Sequence, residues 1–380
     1  MKRYQAQLEQ LQAQSQLRRL TSAPTCRLNL SGNDYLGLTQ SPKWQAEFLE
    51  RFSDRPLPAL GSTSSRLLTG NSEHHEALEH TLQQAYGRPA LLFNSGYHTN
   101  IGILPALANR QTLILADKLV HASLIDGIRL SGAPYKRFRH NDTAQLAVLL
   151  EQHAAAYQHV IIVTESLFSM DGDFAPLARL VQLKQQYANV LLYLDEAHAV
   201  GVYGATGLGL AEQEACLNDI DILVGTFGKA AASQGAYAIC NDILKNYLIN
   251  TARPLIFSTA LPPLQAAWSD FIFQKFAGWS DKRRHLAHIA TRLRSAISQR
   301  HLPMPGQSHI VPYILGSNRA AEQAAEELQR QGCYSLPIRP STVPPGTARL
   351  RFSLTAAMSE TDIDWLISLL PELPDTRLTK

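Results

Sequence analysis

The chain has 380 residues, of which 45% are hydrophobic and 18% are charged, and its formal net charge at neutral pH is +3. This composition suits about two domains, gives no reason to expect a nucleic-acid partner, and includes no run near the ~20 apolar residues that a membrane span requires. Four widely separated cysteines lack the spacing of a zinc or redox site, so we expect no metal and reduced thiols in the cytoplasm.

The N-terminal segment starts as a glutamine-rich helix with Tyr4, Leu8 and Leu11 on one face. It lacks the apolar core of a signal peptide. We expect residues 1–45 to pack with a smaller C-terminal domain.

The central part of the chain alternates strand and helix patterns, which predicts a large domain over residues 46–275. Most of the strand candidates are short apolar runs, as expected for strands buried on both faces of a sheet. These candidates are Leu91–Asn94, Thr112–Ala116, Val160–Thr164, Val190–Leu194, Ile220–Gly225 and Ala236–Cys240. Helical stretches such as Ala175–Tyr187 lie between several of them. The predicted fold class is therefore α/β, with a doubly wound and mostly parallel sheet.

The C-terminal part, residues 276–380, has the pattern of a smaller α+β domain. Thr347–Leu354 predicts a half-buried strand with Arg349 and Arg351 on its polar face. Ser359 followed by Asp362 predicts the start of a closing helix. The basic run at 282–284 indicates a solvated helix face, with a carrier-binding patch as the weaker alternative.

Ionisable residues follow two central strands, as Asp195-Glu196-Ala197-His198 and as Thr226-Phe227-Gly228-Lys229. Because ligands bind at the carboxyl ends of strands in such sheets, these clusters should meet at one edge. A carboxylate there can keep a pyridine nitrogen protonated, and a lysine can bind an aldehyde as an imine. Either residue alone would more often be an ordinary loop residue, but together they favour a pyridoxal 5'-phosphate (PLP) site.

Several further motifs occur in order along almost the whole chain. They are Asn33-Asp34-Tyr35-Leu36-Gly37, Asp117 with His121-Ala122-Ser123-Leu124, Thr164-Glu165 with Phe168-Ser169-Met170-Asp171-Gly172, and Ile338-Arg339-Pro340 through Arg349-Leu350-Arg351. With the two ionisable clusters, they resemble the α-oxoamine synthase family of fold type I PLP enzymes. The resemblance implies acyltransferase chemistry, in which L-alanine condenses with a pimeloyl thioester of coenzyme A or of acyl carrier protein in biotin synthesis.

The resemblance also implies roles for individual residues. Lys229 would hold PLP and act as base, Asp195 would bind the ring nitrogen, and His121 would stack on the ring and approach the substrate. The other implied cofactor contacts are Gly96, Tyr97, Ser169, His198 and Thr226, with Ser258 and Thr259 reaching the phosphate of a neighbouring subunit. The implied substrate contacts, besides His121, are Arg18, Asn33, Thr342 and Arg351. Sites shared in this way imply a homodimer.

Other readings remain open. Another α-oxoamine synthase, such as glycine C-acetyltransferase, would use the same residues on other substrates. An aminotransferase and a non-catalytic PLP-binding regulator are more distant alternatives. The chain also departs from the family pattern, with Gly61-Ser62-Thr63-Ser64-Ser65-Arg66 and Ala230-Ala231-Ala232 where glycine is frequent. Since non-glycine residues disfavour strained turns, we expect altered loop shapes there.

Overall fold

The structure is a computed structural model, and it describes residues 1–18, 20, 22 and 25–370. The chain forms two compact units. The larger unit comprises Asp34–Phe168 and Phe174–Arg283. The smaller unit comprises the described residues of Met1–Asn33, Ser169–Asp173 and Arg284–Lys380.

Strands and helices are numbered in chain order. The strands are β1 (Leu28–Asn29), β2 (Ala90–Phe93), β3 (Thr112–Asp117), β4 (Tyr135–Phe138), β5 (His159–Glu165), β6 (Val190–Asp195), β7 (Ile222–Thr226), β8 (Ala236–Ile239), β9 (Ile310–Gly316), β10 (Cys333–Tyr334), β11 (Pro337–Ile338) and β12 (Ala348–Ser353). The α-helices are α1 (Lys2–Ala13), α2 (Pro42–Glu50), α3 (Glu73–Tyr86), α4 (Gly96–Leu107), α5 (Ala122–Ser131), α6 (Thr143–His153), α7 (Leu177–Gln185), α8 (Leu210–Gln213), α9 (Asp242–Thr251), α10 (Arg253–Phe257), α11 (Pro263–Phe273), α12 (Ser280–Ser298), α13 (Asn318–Arg330) and α14 (Glu360–Leu369).

The larger unit is built on one sheet, in which the described strands have the order β2-β8-β7-β6-β5-β3-β4. All neighbouring pairs are parallel except the two that β8 makes with β2 and β7. The predicted α/β fold with a mostly parallel sheet is confirmed. All six predicted strands are present, with ends shifted by no more than two residues.

The edge strand β4 was not predicted, because its sequence has no apolar run. Tyr135, Lys136 and Arg137 are exposed there and only Phe138 is buried. Charged side chains on an edge strand discourage pairing with a second sheet.

A close packing contact fixes the strand that leads into the lysine cluster. Gly225 of β7 lies opposite Tyr237 of β8. A Cβ atom on Gly225 would overlap the Tyr237 ring, so only glycine fits at this position. The Tyr237 hydroxyl lies 2.8 Å from that of Tyr86, which in turn donates to the carbonyl oxygen of Leu208. The buried ring therefore fixes the place of β7 just before Thr226.

The smaller unit contains an antiparallel sheet in the order β11-β12-β9 and a short parallel pair, β1 with β10. Helix α14 begins with the predicted cap, since the Ser359 hydroxyl accepts from the Asp362 N–H and Asp362 accepts from the Ser359 N–H. The predicted N-terminal helix is present as α1, and none of its residues is buried in this chain.

Two predictions about basic residues are wrong. Strand β12 is buried along its whole length rather than half-buried, and Arg349 and Arg351 are only 3% and 7% exposed. Arg283 is buried rather than solvated, because its guanidinium donates to the carbonyl oxygens of Phe276 and Ala205 at 2.6 Å each. Hydrogen bonds to carbonyl or carboxylate oxygens offset the desolvation of these side chains.

Among the described residues, no helix is both long and apolar enough to cross a membrane. The four cysteines form no disulfide in this part of the chain.

Candidate active site

Three strands of the larger unit end side by side in polar residues, namely Glu165 on β5, Asp195 on β6 and Thr226 on β7. Glu165 and Asp195 lie directly opposite each other in the parallel register and are 3% and 6% exposed. Two acids at adjacent buried positions require hydrogen-bond donors or positive charge nearby. The carboxyl edge of the sheet is therefore an unusual electrostatic environment, as the sequence predicted.

Hydrogen bonds hold both oxygens of the Asp195 carboxylate. The Asn100 side-chain amide donates to Oδ2 at 2.9 Å, and the Ala197 N–H donates to Oδ1 at 2.9 Å. Asn100 lies on α4 and is 1% exposed. The carboxylate is thus fixed in one orientation by two different elements.

His121 precedes the first turn of α5 and caps it. Its Nδ1 accepts from the Ser123 N–H at 3.2 Å and lies 2.8 Å from the Ser123 hydroxyl. Its own N–H donates to the Glu165 carboxylate at 2.6 Å. The residue as a whole is exposed, but removal of its ring from water still lowers the pKa of His121. Asp195 opposes that shift in pKa, while the charge of Lys229 adds to it.

Lys229 lies three residues after β7 and is half-buried. Its positive charge acts on both His121 and Glu165, so the structure brings the three groups close together. Burial raises the pKa of Glu165 well above its usual value, with Asp195 raising it further and Lys229 opposing. The raised pKa favours the neutral form of Glu165 beside Lys229.

His198 belongs to the same edge and has a partner that the sequence did not indicate. Its Nδ1 lies 2.6 Å from the hydroxyl of Tyr35, which is fully buried. The tyrosine fixes the orientation of the imidazole ring.

Gly96 and Tyr97 open helix α4, where the first N–H groups have no intrahelical partner. Ser95 caps the helix by accepting from the His98 N–H at 3.2 Å. No side chain approaches the Cβ position of Gly96 more closely than Thr226, at 4.0 Å. Open space in front of a helix N-terminus suits a phosphate group. The Tyr97 phenol is 43% exposed and donates to Asp126.

Thr226 and the pair Ser258 and Thr259 lie around the same strand ends. The Thr226 hydroxyl donates to the Gly235 carbonyl at 3.0 Å and accepts from the Gly228 N–H at 3.2 Å. The Asn94 amide donates to the Thr259 carbonyl at 2.6 Å and lies 3.5 Å from the Ser258 hydroxyl.

The smaller unit brings two other predicted residues into contact with Arg351. Its guanidinium donates to the Ser169 carbonyl at 2.5 Å and to the Asn33 side-chain oxygen at 3.1 Å. Arg349, two residues earlier, donates instead to Asp171 and Met170. The sequence pattern could not distinguish the two arginines. The structure does so, because Arg349 forms an ion pair within the unit.

Arg18 and Thr342, 324 residues apart in sequence, are also joined. The Arg18 guanidinium donates to the Thr342 hydroxyl at 3.0 Å. Both were predicted substrate contacts, and the structure places them together in the smaller unit.

Sequence reasoning assigned no individual role to several residues of this network. Asn100 and Tyr193 lie in none of the motifs above. Tyr35, Ser123 and Glu165 lie within those motifs, but the motifs alone indicate no function for them. Conversely, Asp117 organises a loop by accepting from His140 and from the N–H groups of Leu119 and Asn141. It supports the edge of the sheet without joining the network.

The loop after Lys229 departs from expectation. We expected the alanines at 230–232 to exclude strained backbone, but Ala232 adopts φ +47°. Its N–H donates to the Lys229 carbonyl at 2.9 Å, and its carbonyl accepts from Trp268 at 3.2 Å. The loop keeps a left-handed turn without a glycine, at a cost of about 1–2 kcal/mol.

The donors and acceptors of the larger unit fit PLP. The cofactor combines an anionic phosphate, a basic ring nitrogen and an aldehyde. The open N-terminus of α4 suits the phosphate, and the fixed Asp195 carboxylate suits the ring nitrogen. The Lys229 amine suits the aldehyde.

Comparisons with known proteins agree with this assignment. The family model described as aminotransferase class I and II matches residues 27–370. The 8-amino-7-oxononanoate synthase of Haemophilus ducreyi is 55% identical over 350 residues, which cover 90% of each chain. The serine palmitoyltransferase of Sphingomonas wittichii has a TM-score of 0.88 at 29% identity, and covers 97% of this chain and 95% of its own. That of S. paucimobilis, solved with bound PLP, has a TM-score of 0.85 at 27% identity, with the same coverage.

Replacing the strained alanine should stabilise the protein. Ala232→Gly is expected to raise the free energy of unfolding by about 0.5–1 kcal/mol, because relief of the left-handed strain exceeds the entropy that glycine adds to the unfolded chain. Ala231→Gly is the matched control, since Ala231 is buried without positive φ and should lose about 1 kcal/mol. Urea unfolding measures both. Equal destabilisation by Ala232→Gly and Ala231→Gly would contradict the proposed backbone strain at Ala232.

Proposed function

Because this chain belongs to the class I and II aminotransferase family, and within it to the 8-amino-7-oxononanoate synthases, we propose that it condenses L-alanine with a pimeloyl thioester. The products would be 8-amino-7-oxononanoate, carbon dioxide and the free thiol of coenzyme A or of acyl carrier protein. The chain is a PLP-dependent acyltransferase, and biotin synthesis is the pathway that uses this product. The observation that carries the proposal is the carboxyl edge of the sheet, where Asp195, His121 and Lys229 meet.

When bound, PLP supplies an electron-withdrawing ring that acidifies the α-carbon of the attached amino acid. We assign Lys229 to covalent attachment of the cofactor and to removal of the α-proton by its Nζ. Asp195 would hold a proton on the ring nitrogen, which a carboxylate fixed by Asn100 and Ala197 can do without reorganising. His121 and His198 would contact the ring, and Ser169 is assigned to the same role.

The phosphate is assigned to the N-terminus of α4. Gly96 and Tyr97 offer N–H donors there, and Thr226 offers a hydroxyl. These groups are neutral, so the helix dipole supplies part of the attraction for the anion.

Binding of the amino acid is assigned to the smaller unit. Arg351 would bind the alanine carboxylate, with Asn33 orienting its guanidinium, since a planar guanidinium matches a carboxylate in two hydrogen bonds. Thr342 and Arg18, joined to each other, are assigned to further substrate contacts. The ion pair of Arg349 with Asp171 supports the choice of Arg351 over Arg349 for this role.

The main experiment measures products. With L-alanine and pimeloyl-coenzyme A or pimeloyl acyl carrier protein, the purified enzyme should release thiol and carbon dioxide in equal amounts and form an amino ketone. Lys229→Ala should lose more than the ~10²–10⁴-fold that one proton-transfer group contributes, because it removes attachment and base together. Glycine with acetyl-coenzyme A, and serine with palmitoyl-coenzyme A, are the competing pairs. Faster turnover of either pair would assign the chain to another α-oxoamine synthase activity.

The two arginines of β12 should respond differently to substitution. Arg351→Ala should raise the KM for L-alanine by about 30-fold or more, corresponding to the ~2–5 kcal/mol of a buried charge pair, with less change in the KM for the thioester. Arg349→Ala should instead lower the free energy of unfolding by about 3 kcal/mol, because it leaves Asp171 without its cation. Steady-state kinetics and urea unfolding of both variants separate the effects. An unchanged alanine KM in Arg351→Ala would refute the carboxylate role.

We also propose a homodimer in which Ser258 and Thr259 bind the phosphate of the partner subunit. Dimer formation and PLP binding should then stabilise each other. Sedimentation at several protein concentrations should show a tighter dimer with PLP than without. Combined Ser258→Ala and Thr259→Ala should reduce that difference, whereas Thr251→Ala, whose hydroxyl bonds to the Tyr247 carbonyl within α9, should not. A monomer saturated with PLP would exclude the shared site.

The four free thiols support placement in a reducing compartment, and we propose the cytoplasm.

A further inference from the structure

Asn100, a buried polar residue that fixes the Asp195 carboxylate, also has partners on the side of His121. Its side-chain nitrogen Nδ2 donates to two partners, the Asp195 Oδ2 and the Ser123 hydroxyl, each at 2.9 Å. Its side-chain oxygen Oδ1 accepts from the Tyr193 hydroxyl at 2.6 Å. Asn100, Ser123 and Tyr193 are each 1% exposed or less. All polar positions of the amide are therefore occupied inside the protein.

Asp195 at one end of this group and Tyr193 at the other determine the direction of the hydrogen bonds of Asn100. A carboxylate can only accept, so the nitrogen of Asn100 must face Asp195 and its oxygen must face Tyr193. Burial raises the pKa of Tyr193 well above its usual value, so this phenol remains a donor. The amide cannot be flipped without placing its oxygen against the carboxylate.

The Ser123 hydroxyl connects Asn100 to His121. Its oxygen accepts from Asn100, which leaves its own proton for the His121 Nδ1 at 2.8 Å. The Ser123 N–H also donates to the same nitrogen at 3.2 Å. Two donors aimed at Nδ1 are compatible only with an unprotonated nitrogen at that position.

We propose that Asn100 is a positioning residue that links Asp195 to His121 through Ser123, and that this chain of hydrogen bonds holds His121 as the neutral imidazole with its proton on Nε2. His121 then presents a hydrogen-bond donor, rather than a base, to whatever lies against its outer edge. One amide, that of Asn100, would thus help to orient both Asp195, assigned to the ring nitrogen, and His121, assigned to the ring face. The proposal rests on the proposed function only for what His121 touches, and not for its protonation.

Four charged or titratable groups face His121 from the elements packed around it. They are Asp195 on β6, Lys229 after β7, Asp126 on α5 and Glu165 on β5. The two aspartates favour the imidazolium and Lys229 disfavours it. Glu165 accepts from the His121 main chain, and burial raises the pKa of its carboxyl group. The hydrogen bonds to Nδ1 therefore act in the same direction as Lys229 and against the aspartates.

Neutron diffraction from the deuterated full-length chain, with and without PLP, tests the protonation state directly. Nuclear density on Nε2 and none on Nδ1 is the expected result. Density on Nδ1 would overturn the proposal.

Substitutions test the linkage in solution. Ser123→Ala should raise the pKa of His121 by about half to one unit, because it removes one hydrogen bond to the neutral ring while the Ser123 N–H remains. Ser131→Ala is the matched control on the same helix, since its hydroxyl bonds only locally, to the Ile128 carbonyl and the Ala133 N–H. NMR titration of the His121 ring, assigned with His121→Gln, measures the pKa. Equal pKa values in Ser123→Ala and Ser131→Ala would overturn the proposal.

Asn100→Ala should raise the pKa of His121 by a similar amount and also weaken PLP binding about tenfold, since Asp195 loses a hydrogen bond to a charged group. Ser123→Ala should leave PLP affinity nearly unchanged. The two variants therefore separate the connection from Asn100 to Asp195 from the connection through Ser123 to His121. If Asn100→Ala does not fold, the Ser123 pair and the neutron map still decide the question. Failure of the proposed function would appear in the product experiment without changing the His121 pKa.

Discussion

Burial of the Asp195 carboxylate at the end of β6 is the constraint on which the site depends. A carboxylate that is 6% exposed needs hydrogen bonds to both oxygens, and two elements supply them. One donor is Asn100 from α4, whose N-terminus is also proposed to bind the phosphate. A single helix thus orients the group assigned to the ring nitrogen and supplies the donors assigned to the phosphate. Those two ends of the cofactor lie at a fixed separation, so one rigid helix suits both tasks.

The second acid, Glu165, explains how two carboxyl groups can lie opposite each other in adjacent strands. Burial and the neighbouring Asp195 both raise the pKa of Glu165, which favours its neutral form and so reduces like-charge repulsion with Asp195. The Lys229 charge opposes that rise in pKa.

The large sheet was predictable from sequence because each central strand is a short apolar run that ends in polar residues. The two ionisable clusters were predictable for the same reason, since parallel strands bring their carboxyl ends to one edge. Strand β4 was missed because an edge strand with exposed Lys136 and Arg137 has no apolar run. Asn100 and Tyr35 were missed because their importance comes from tertiary contacts with Asp195 and His198, which no local pattern encodes.

The arginines of β12 also show that a local sequence pattern does not reveal tertiary contacts. Alternation along the strand indicated a polar face, but burial of the whole strand means that each arginine required partners within the fold. Arg349 obtained a carboxylate, Asp171, while Arg351 obtained a main-chain carbonyl and an amide oxygen. The ion pair with Asp171 balances the charge of Arg349 within the smaller unit. A pattern that places both arginines on one strand cannot encode this difference, because it comes from the residues at 169–171 that face them.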